Sequence, residues 1–288
     1  MDKIDARLYE VRPNRSIWIG KYVAKPSKVA TVVFIHGSCA SYSQFNAIIQ
    51  WAIDTAVLDV VYYDYLGCGQ SDKQAPKHQK WYFPSEHWED LVAIIDQHCD
   101  EQVPLWVVGH SFGCLMALRL ATESKWSSRV QKMVLMGCPS IFQSNPMPWV
   151  LTLPCFMLKW MQPWLTNAFV HRAFSPDTIA NNAQLVEASK RISNANPPHM
   201  FQNFYKGVSE ESPAWKSSLQ SKVKSLVDLL VLFMNGDSDQ IVDPGSSIET
   251  AGAFPCSSIV TILKASHQMM EEQPEQVIDH LQAYFALS

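Results

Sequence analysis

Residues 107–115 read VVGHSFGCL. An apolar run ends in Gly-His-Ser-Phe-Gly and passes straight into helix-forming residues. Gly109 and Gly113 stand two positions on either side of Ser111, a spacing that suits a backbone turning sharply with almost no room for side chains. Where a strand precedes such a turn and a helix follows it, the strained turn lifts the serine hydroxyl clear at the helix N-terminus. There the positive end of the helix dipole favours developing negative charge. Ser111 is therefore the candidate nucleophile.

Working outward, strand-like and helix-like segments alternate through the first half of the chain. RLYEV (7–11) and SIWIGKYV (16–23) read as an opening hairpin, and VATVVFIHG (29–37) is a β-rich run that stops at a glycine. FNAIIQWAI (45–53) has helical spacing, and LDVVYYDYLG (58–67) is strand-like again. SEHWEDLVAIIDQHC (85–99) reads as an amphipathic helix with Ser85 as its N-cap. Strand LWVVGH (105–110), helix FGCLMALRLATES (112–124) and strand VQKMVLMGC (130–138) follow. Continuous apolar strands separated by helices imply a mostly parallel central sheet flanked by helices, an α/β fold. The alternation lapses over residues 139–225, which are rich in Pro, Trp, Met and Asn and carry no clear strand. It resumes with DLLVLFMNGDSD (228–239), SSIVTILKASH (257–267) and PEQVIDHLQAYFAL (274–287). Residues 1–138 and 226–288 thus form one core, interrupted once by a mainly helical insertion at 139–225.

Composition narrows the function. With 288 residues, 47% of them hydrophobic, the chain can bury one large core. A net charge of -4 gives no reason to expect a nucleic-acid partner. The seven cysteines are odd in number and scattered without a C-x-x-C pair, which argues against a disulfide framework or a zinc site. The polar opening MDKIDARLYEVRPNR reads as no secretory leader. A cytoplasmic location is the expectation.

A serine alcohol needs a base, and the base needs an orienting acid. After an elbow of this kind the order along the chain is Ser, then Asp or Glu, then His. His267 lies between the last strand and the last helix, whereas His280 falls inside that helix. His36 and His110 sit at strand ends and read as packing and turn residues. The acid is contested among Asp237, Asp239 and Asp243 in NGDSDQIVDP (235–244). Asp243 precedes Pro244 and reads as an N-cap before a proline at the first helical position. Asp237 follows Gly236 and suits the turn itself. Asp239 is left as the acid, with His267 as the base. Asp64 and Asp72 precede the serine and read as fixing the glycine-rich loop DYLGCGQSD (64–72).

Taken together, His36-Gly37-Ser38, DYLGCGQSD, Gly109-His110-Ser111-Phe112-Gly113, GDSDQIVD (236–243) and SHQMMEEQPE (266–275) resemble the α/β-hydrolase superfamily in order and spacing. The likeness is strongest to serine esterases, lipases and carbon–carbon hydrolases of the α/β-hydrolase domain-containing type. It covers everything except the insertion, which in that family is the cap or lid. Cys114 stands where a second Gly or Ala is common, and Asp243 where relatives often begin Val-Pro. The resemblance implies an oxyanion hole from the backbone N–H groups of Phe112 and Ser38, with Cys39 as the fallback for Ser38. It implies hydrolysis of a carboxylic ester through an acyl-enzyme, with no metal or organic cofactor. Acyl transfer, carbon–carbon hydrolysis and a non-catalytic binding protein are the alternatives. Serine in place of aspartate at the elbow argues against epoxide hydrolase and haloalkane dehalogenase chemistry.

The insertion bears on substrate. From Ile141 to Val170 the only formal charge is Lys159. Pro154 is expected to open a short helix and Pro163 to end it, with Leu153, Phe156, Met157, Trp160 and Trp164 on roughly one face. That stripe has three readings: packing on the core, an apolar acyl pocket lined by Trp149, Phe156, Met157 and Trp160, or a face resting on a membrane surface. The expected partner is a small acyl ester or a lipid.

Overall fold

Pro13 and Asn14 turn the chain back between β1 (Asp5–Arg12) and β2 (Arg15–Tyr22), with Asn14 in the left-handed region at φ 63°. This computed structural model describes residues 4–24, 28–144 and 147–286. The chain continues through β3 (Ala30–Ile35), α1 (Asn46–Asp54), β4 (Leu58–Tyr63), α2 (Pro84–His98) and β5 (Leu105–His110). After the elbow come α3 (Phe112–Thr122) and β6 (Val130–Met136). The four helices α4 (Cys155–Ala173), α5 (Pro176–Asn181), α6 (Ala183–Asn194) and α7 (Pro198–Lys222) then precede β7 (Leu230–Gly236). The chain closes with α8 (Pro244–Ala251), β8 (Ser257–Ile262), α9 (Met269–Glu272) and α10 (Pro274–Phe285).

The eight strands form one sheet in the order β1-β2-β4-β3-β5-β6-β7-β8. β2 runs antiparallel to both β1 and β4, and every pairing from β4 to β8 is parallel. The reason lies in the residues. β3, β4 and β5 are buried at every position, so apolar side chains are needed on both faces and no alternation survives. One face packs Leu91 and Ile95 of α2, Leu115 of α3 and Phe204 of α7. The other packs Ile48 of α1 with Val277 and Leu281 of α10. Arg15 crosses beneath the first face: its guanidinium donates to both Asp90 carboxylate oxygens, at 2.6 and 2.5 Å, and to the Trp81 carbonyl at 2.9 Å.

Two local expectations are corrected. Ser85 does not cap α2: Pro84 already occupies the first turn, and the Ser85 hydroxyl and amide both bond the Glu211 carboxylate of α7, at 2.8 and 2.9 Å. Pro163 does not end the helix that follows Pro154, because α4 continues through it to Ala173. A proline there removes one helical N–H, and packing on α6 and α7 keeps the helix whole.

The inserted segment is tied to the sheet at the exit from β6. The Lys216 ammonium of α7 donates to the carbonyls of Ser140 and Gln143 at 2.8 and 2.7 Å. Gln220 donates to that of Ile141 at 2.7 Å. Phe204 of α7 meets the Phe112 ring edge-on at 4.8 Å. The helices therefore lie directly over the first turn of α3.

Candidate active site

Ser111 occupies the junction of β5 and α3 with φ 52° and ψ -119°, a conformation that non-glycine residues rarely adopt. Its amide donates to the Met136 carbonyl at 2.9 Å. The strain is held by close approach around it. A Cβ on Gly113 would lie 2.1 Å from the Ile35 carbonyl oxygen, so only glycine lets α3 settle against β3. Phe112 is the first residue of α3, and the first amides of a helix have no acceptor within it. Its N–H is available where the resemblance asks for a donor.

His267 and Asp239 meet behind this turn. Nδ1 of His267 lies 2.8 Å from Oδ2 of Asp239, with both side chains buried. The other carboxylate oxygen accepts the amides of Ile241 and Val242 at 2.8 and 2.9 Å. The acid is therefore clamped by its own loop while one oxygen faces the imidazole. The neighbouring aspartates are engaged elsewhere. Asp237 accepts the amides of Lys264 and Ala265 at 2.9 and 3.2 Å, and Asp243 caps α8 through the Gly245 amide at 3.0 Å.

Two further histidines frame the site. The Nε2–H of His110 donates to the His267 carbonyl at 2.9 Å, tying the His267 backbone to the residue before Ser111. Burial pushes His110 well below the usual imidazole range, so it stays neutral. His36 accepts the Tyr65 amide on Nε2 at 2.9 Å and donates from Nδ1 to the Gly37 carbonyl at 2.7 Å. Burial pushes it down to about 4. Asp64, in the glycine-rich loop, accepts the amides of Tyr42 and Gln70 at 2.7 and 2.8 Å.

Gly137 was not among the residues singled out from the sequence. It sits at φ 56°, and a Cβ there would meet the His267 ring at 3.1 Å and Asp239 Oδ2 at 3.4 Å. Its only sequence signal is a glycine directly after an apolar strand.

The turn after β3 brings a second wall. An added Cβ on Gly37 would lie 3.3 Å from Ser111 Cβ, so Ser38 and Cys39 follow immediately beside the serine. Cys39 takes φ 59°, and its carbonyl accepts from Asn196 Nδ2 at 2.7 Å. The Ser38 hydroxyl lies 3.2 Å from that of Tyr205 in α7. Burial pushes the Cys39 thiol well up, which keeps it protonated and a poor nucleophile. Ser38 and Cys39 border a cavity of about 260 Å³ between the sheet's loops and the inserted helices. Ser111 and His267 are not part of its wall, so the cavity adjoins them through the Gly37–Cys39 turn.

The four residues expected to line an acyl pocket lie elsewhere. Trp149 and Phe156 are each 75% exposed, Trp160 is 85% exposed and Met157 is 37% exposed. None of them borders the cavity; Leu151, Leu158, Leu165 and Phe169 do. The physical reason is that α4 is apolar on both sides, so no polar face marks which row turns inward. Leu158, Leu165 and Phe169 take the inward row, and Phe156, Trp160 and Trp164 the outward one.

The same architecture recurs in proteins of known sequence and structure. The uncharacterized hydrolase YugF of Bacillus subtilis (strain 168) is 22% identical over 254 residues, covering 87% of this chain and 88% of its own. A thermophilic esterase from Thermogutta terrifontis superposes with a TM-score of 0.75 at 17% identity, over 99% of this chain and 98% of that one. The 2-hydroxy-6-oxo-6-phenylhexa-2,4-dienoate hydrolase of Rhodococcus sp. strain RHA1 gives 0.73 at 22% identity, over 99% of both chains. Likeness at these identities establishes the fold. Residues 26–274 match the family described as serine aminopeptidase, S33, and the chain belongs to that family of α/β-hydrolases.

Proposed function

We propose that this hydrolase cleaves carboxylic esters with Ser111 as nucleophile, His267 as general base and Asp239 as the acid that orients the imidazole. The observation that carries the reading is the 2.8 Å contact between His267 Nδ1 and a doubly clamped Asp239, with the His267 carbonyl bonded at 2.9 Å to His110, the residue before a serine held at positive φ. The Asp239 carboxylate fixes the tautomer with Nε2 free to take the Ser111 proton. Attack on the acyl carbon forms a tetrahedral oxyanion, which the amides of Phe112 and Ser38 stabilise. Collapse expels the alcohol, protonated by His267, and leaves an acyl-enzyme that water hydrolyses by the same steps. Leu158, Leu165 and Phe169 favour an apolar acyl chain in the cavity under the cap formed by the inserted helices. Each methylene buried there contributes ~0.8 kcal/mol. A fluorophosphonate probe tests the assignment: it should label the wild-type protein once per chain, at Ser111. Full labelling of a folded Ser111→Ala protein would overturn it.

The outward row of α4 supports a place of work as well. Phe156, Trp160 and Trp164, with Trp149 in the turn before the helix, are mostly in solvent, and clustered exposed rings of this kind mark an interaction surface. No Asp or Glu occurs from residue 124 to 176, while Lys159 lies within the row and Arg172 at its end. Aromatic rings with flanking cations and no acids suit the interface of an anionic lipid surface. No helix among the described residues is long and apolar enough to cross a membrane, so the proposed contact lies in the plane of the surface. The substrate would then reach the cavity from the lipid.

A further inference from the structure

The cavity has two unlike halves. The inserted segment contributes Leu151, Leu158, Leu165 and Phe169, and its polar residues Gln162, Thr166, Ser193 and Tyr205 have hydrogen-bond partners. The turn that follows Ser38 and Cys39 instead contributes Ser43 and Gln44, and α9 contributes Glu271. Gln44 is 5% exposed, and neither its Nε2 nor its Oε1 has a hydrogen-bond partner. The Ser43 hydroxyl is likewise buried and unpartnered. The same turn satisfies its other polar groups: the Ser41 hydroxyl accepts the Ser43 amide at 3.2 Å, and Asp64 accepts the Tyr42 amide at 2.7 Å. Buried polar side chains are almost always paired, and leaving an amide unpaired is costly. Phe45 and Ile48, beside Gln44, already supply the packing on the sheet. The amide therefore does nothing for the core that an apolar residue of similar size would not do better.

What the pair lacks defines what would complete it. A primary amide offers two donors and an acceptor, and a hydroxyl offers both roles. An alkyl chain would leave them unpaired, and a carboxylate or phosphate would meet Glu271. Burial, with Glu272 beside it, pushes the Glu271 carboxyl up to about 7, so near neutrality it can donate as well as accept. The complementary group is uncharged and carries more than one hydroxyl. We infer that Ser43, Gln44 and Glu271 form a subsite for the hydroxyl-bearing head of a glycerol-type monoester, while the cap side of the cavity holds its acyl chain. The inference rests on the ester reading for the bond cleaved, but the subsite itself needs no turnover to be seen.

Calorimetry with a non-hydrolysable pair separates the two. 1-O-octylglycerol and octyl propyl ether share one skeleton and differ by two hydroxyls. An apolar pocket prefers the propyl ether; the subsite predicts that the wild-type protein prefers the glycerol ether. Gln44→Leu should lower that preference about tenfold, and Ser43→Ala should lower it less in the same direction. Because the preference is a ratio within one preparation, it does not depend on the fraction of protein that is folded. The ratio of kcat/KM for glyceryl monooctanoate over propyl octanoate should fall in parallel. Tighter wild-type binding of octyl propyl ether, or a ratio that Gln44→Leu leaves unchanged, would overturn the subsite. Hydrolysis of propyl octanoate by the wild-type protein tests the ester reading on its own.

Discussion

The loops at the ends of β5 and β7 and the inserted helices are neighbours across the Gly37–Cys39 turn, yet they are built by different rules. Around Ser111, Asp239 and His267 the polar groups that set geometry are bonded: the Asp239 carboxylate has three partners and His110 ties down the His267 backbone. In α4 most side chains are apolar, and its polar bonds are few: among them, Gln162 donates to the carbonyls of Ser193, Asn194 and Asn196, and Thr166 lies 3.4 Å from the Ser193 hydroxyl. Leu158, Leu165 and Phe169 line the cavity, while Phe156, Trp160 and Trp164 face solvent. The first region is held mainly by directional bonds; the second is held mainly by packing on one side, which leaves the other side for a partner.

The comparison breaks most directly at the acid. If directional bonding makes the site, the three aspartates after β7 should differ sharply in effect. Asp239→Asn should lower kcat on an octanoyl ester by about 10³–10⁴-fold, through loss of the imidazole's tautomer and orientation. Asp237→Asn and Asp243→Asn, which bond only backbone amides, should each cost less than about tenfold. Steady-state kinetics on the three purified variants decides it. A larger loss at Asp237 or Asp243 than at Asp239 would remove Asp239 from the site.

Gly137 sharpens the same point by geometry alone. Alanine there would press its Cβ against the His267 ring and Asp239 while holding φ 56°. The left-handed conformation adds ~1–2 kcal/mol of strain, and a displacement of the base approaching 1 Å costs up to about 10²-fold in rate. Gly137→Ala should therefore lower kcat far more than it raises KM, with little loss of folded protein by circular dichroism. Unchanged kcat would mean that the ring has room to move.

How much of this was legible beforehand follows the same division. The strands around the elbow were legible because burial on both faces leaves continuous apolar runs. Chain order and turn chemistry leave few candidates to accompany Ser111, and the structure brings two of them, Asp239 and His267, within 2.8 Å of each other. Ser85 misled because its partner, Glu211, lies 126 residues away, and local capping rules cannot see it. The pocket expectation misled for a physical reason too: with apolar residues on both sides of α4, aromatic rings and methionine pointed to Trp149, Phe156, Met157 and Trp160, whereas Leu158, Leu165 and Phe169 border the cavity. Gln44 and Glu271 carried no signal at all, since a buried glutamine and an exposed one look alike in sequence.

The outward row gives the next test. Wild-type protein should sediment with vesicles of phosphatidylcholine containing phosphatidylglycerol, and less with phosphatidylcholine alone. Replacing Trp160 and Trp164 together by serine should weaken binding about tenfold. Wild-type protein that stays in the supernatant would exclude the lipid contact. A wild-type dimer in sedimentation velocity that the double replacement turns into a monomer would instead assign the row to a second copy of the chain.

The smallest effect belongs to the polar end of the cavity. Folding raises the Glu271 carboxyl from its ordinary value of 4.5 to about 7, chiefly by burial and secondarily through Glu272. Between those values the folded protein binds more protons than the unfolded chain, so stability falls as pH rises. The contribution is whole below about 4.5 and gone above about 7. Partial exposure of the side chain keeps it to the order of 1 kcal/mol. Glu271→Gln removes the titration, so urea denaturation of the variant should lose that decline across the window and leave it the more stable protein at pH 8. If the wild-type and variant curves run parallel from pH 4 to pH 8, Glu271 titrates as an ordinary surface acid. The polar half of the cavity would then be as wet as the rim of the fold, and the contrast with the leucine-lined half would reduce to one of composition.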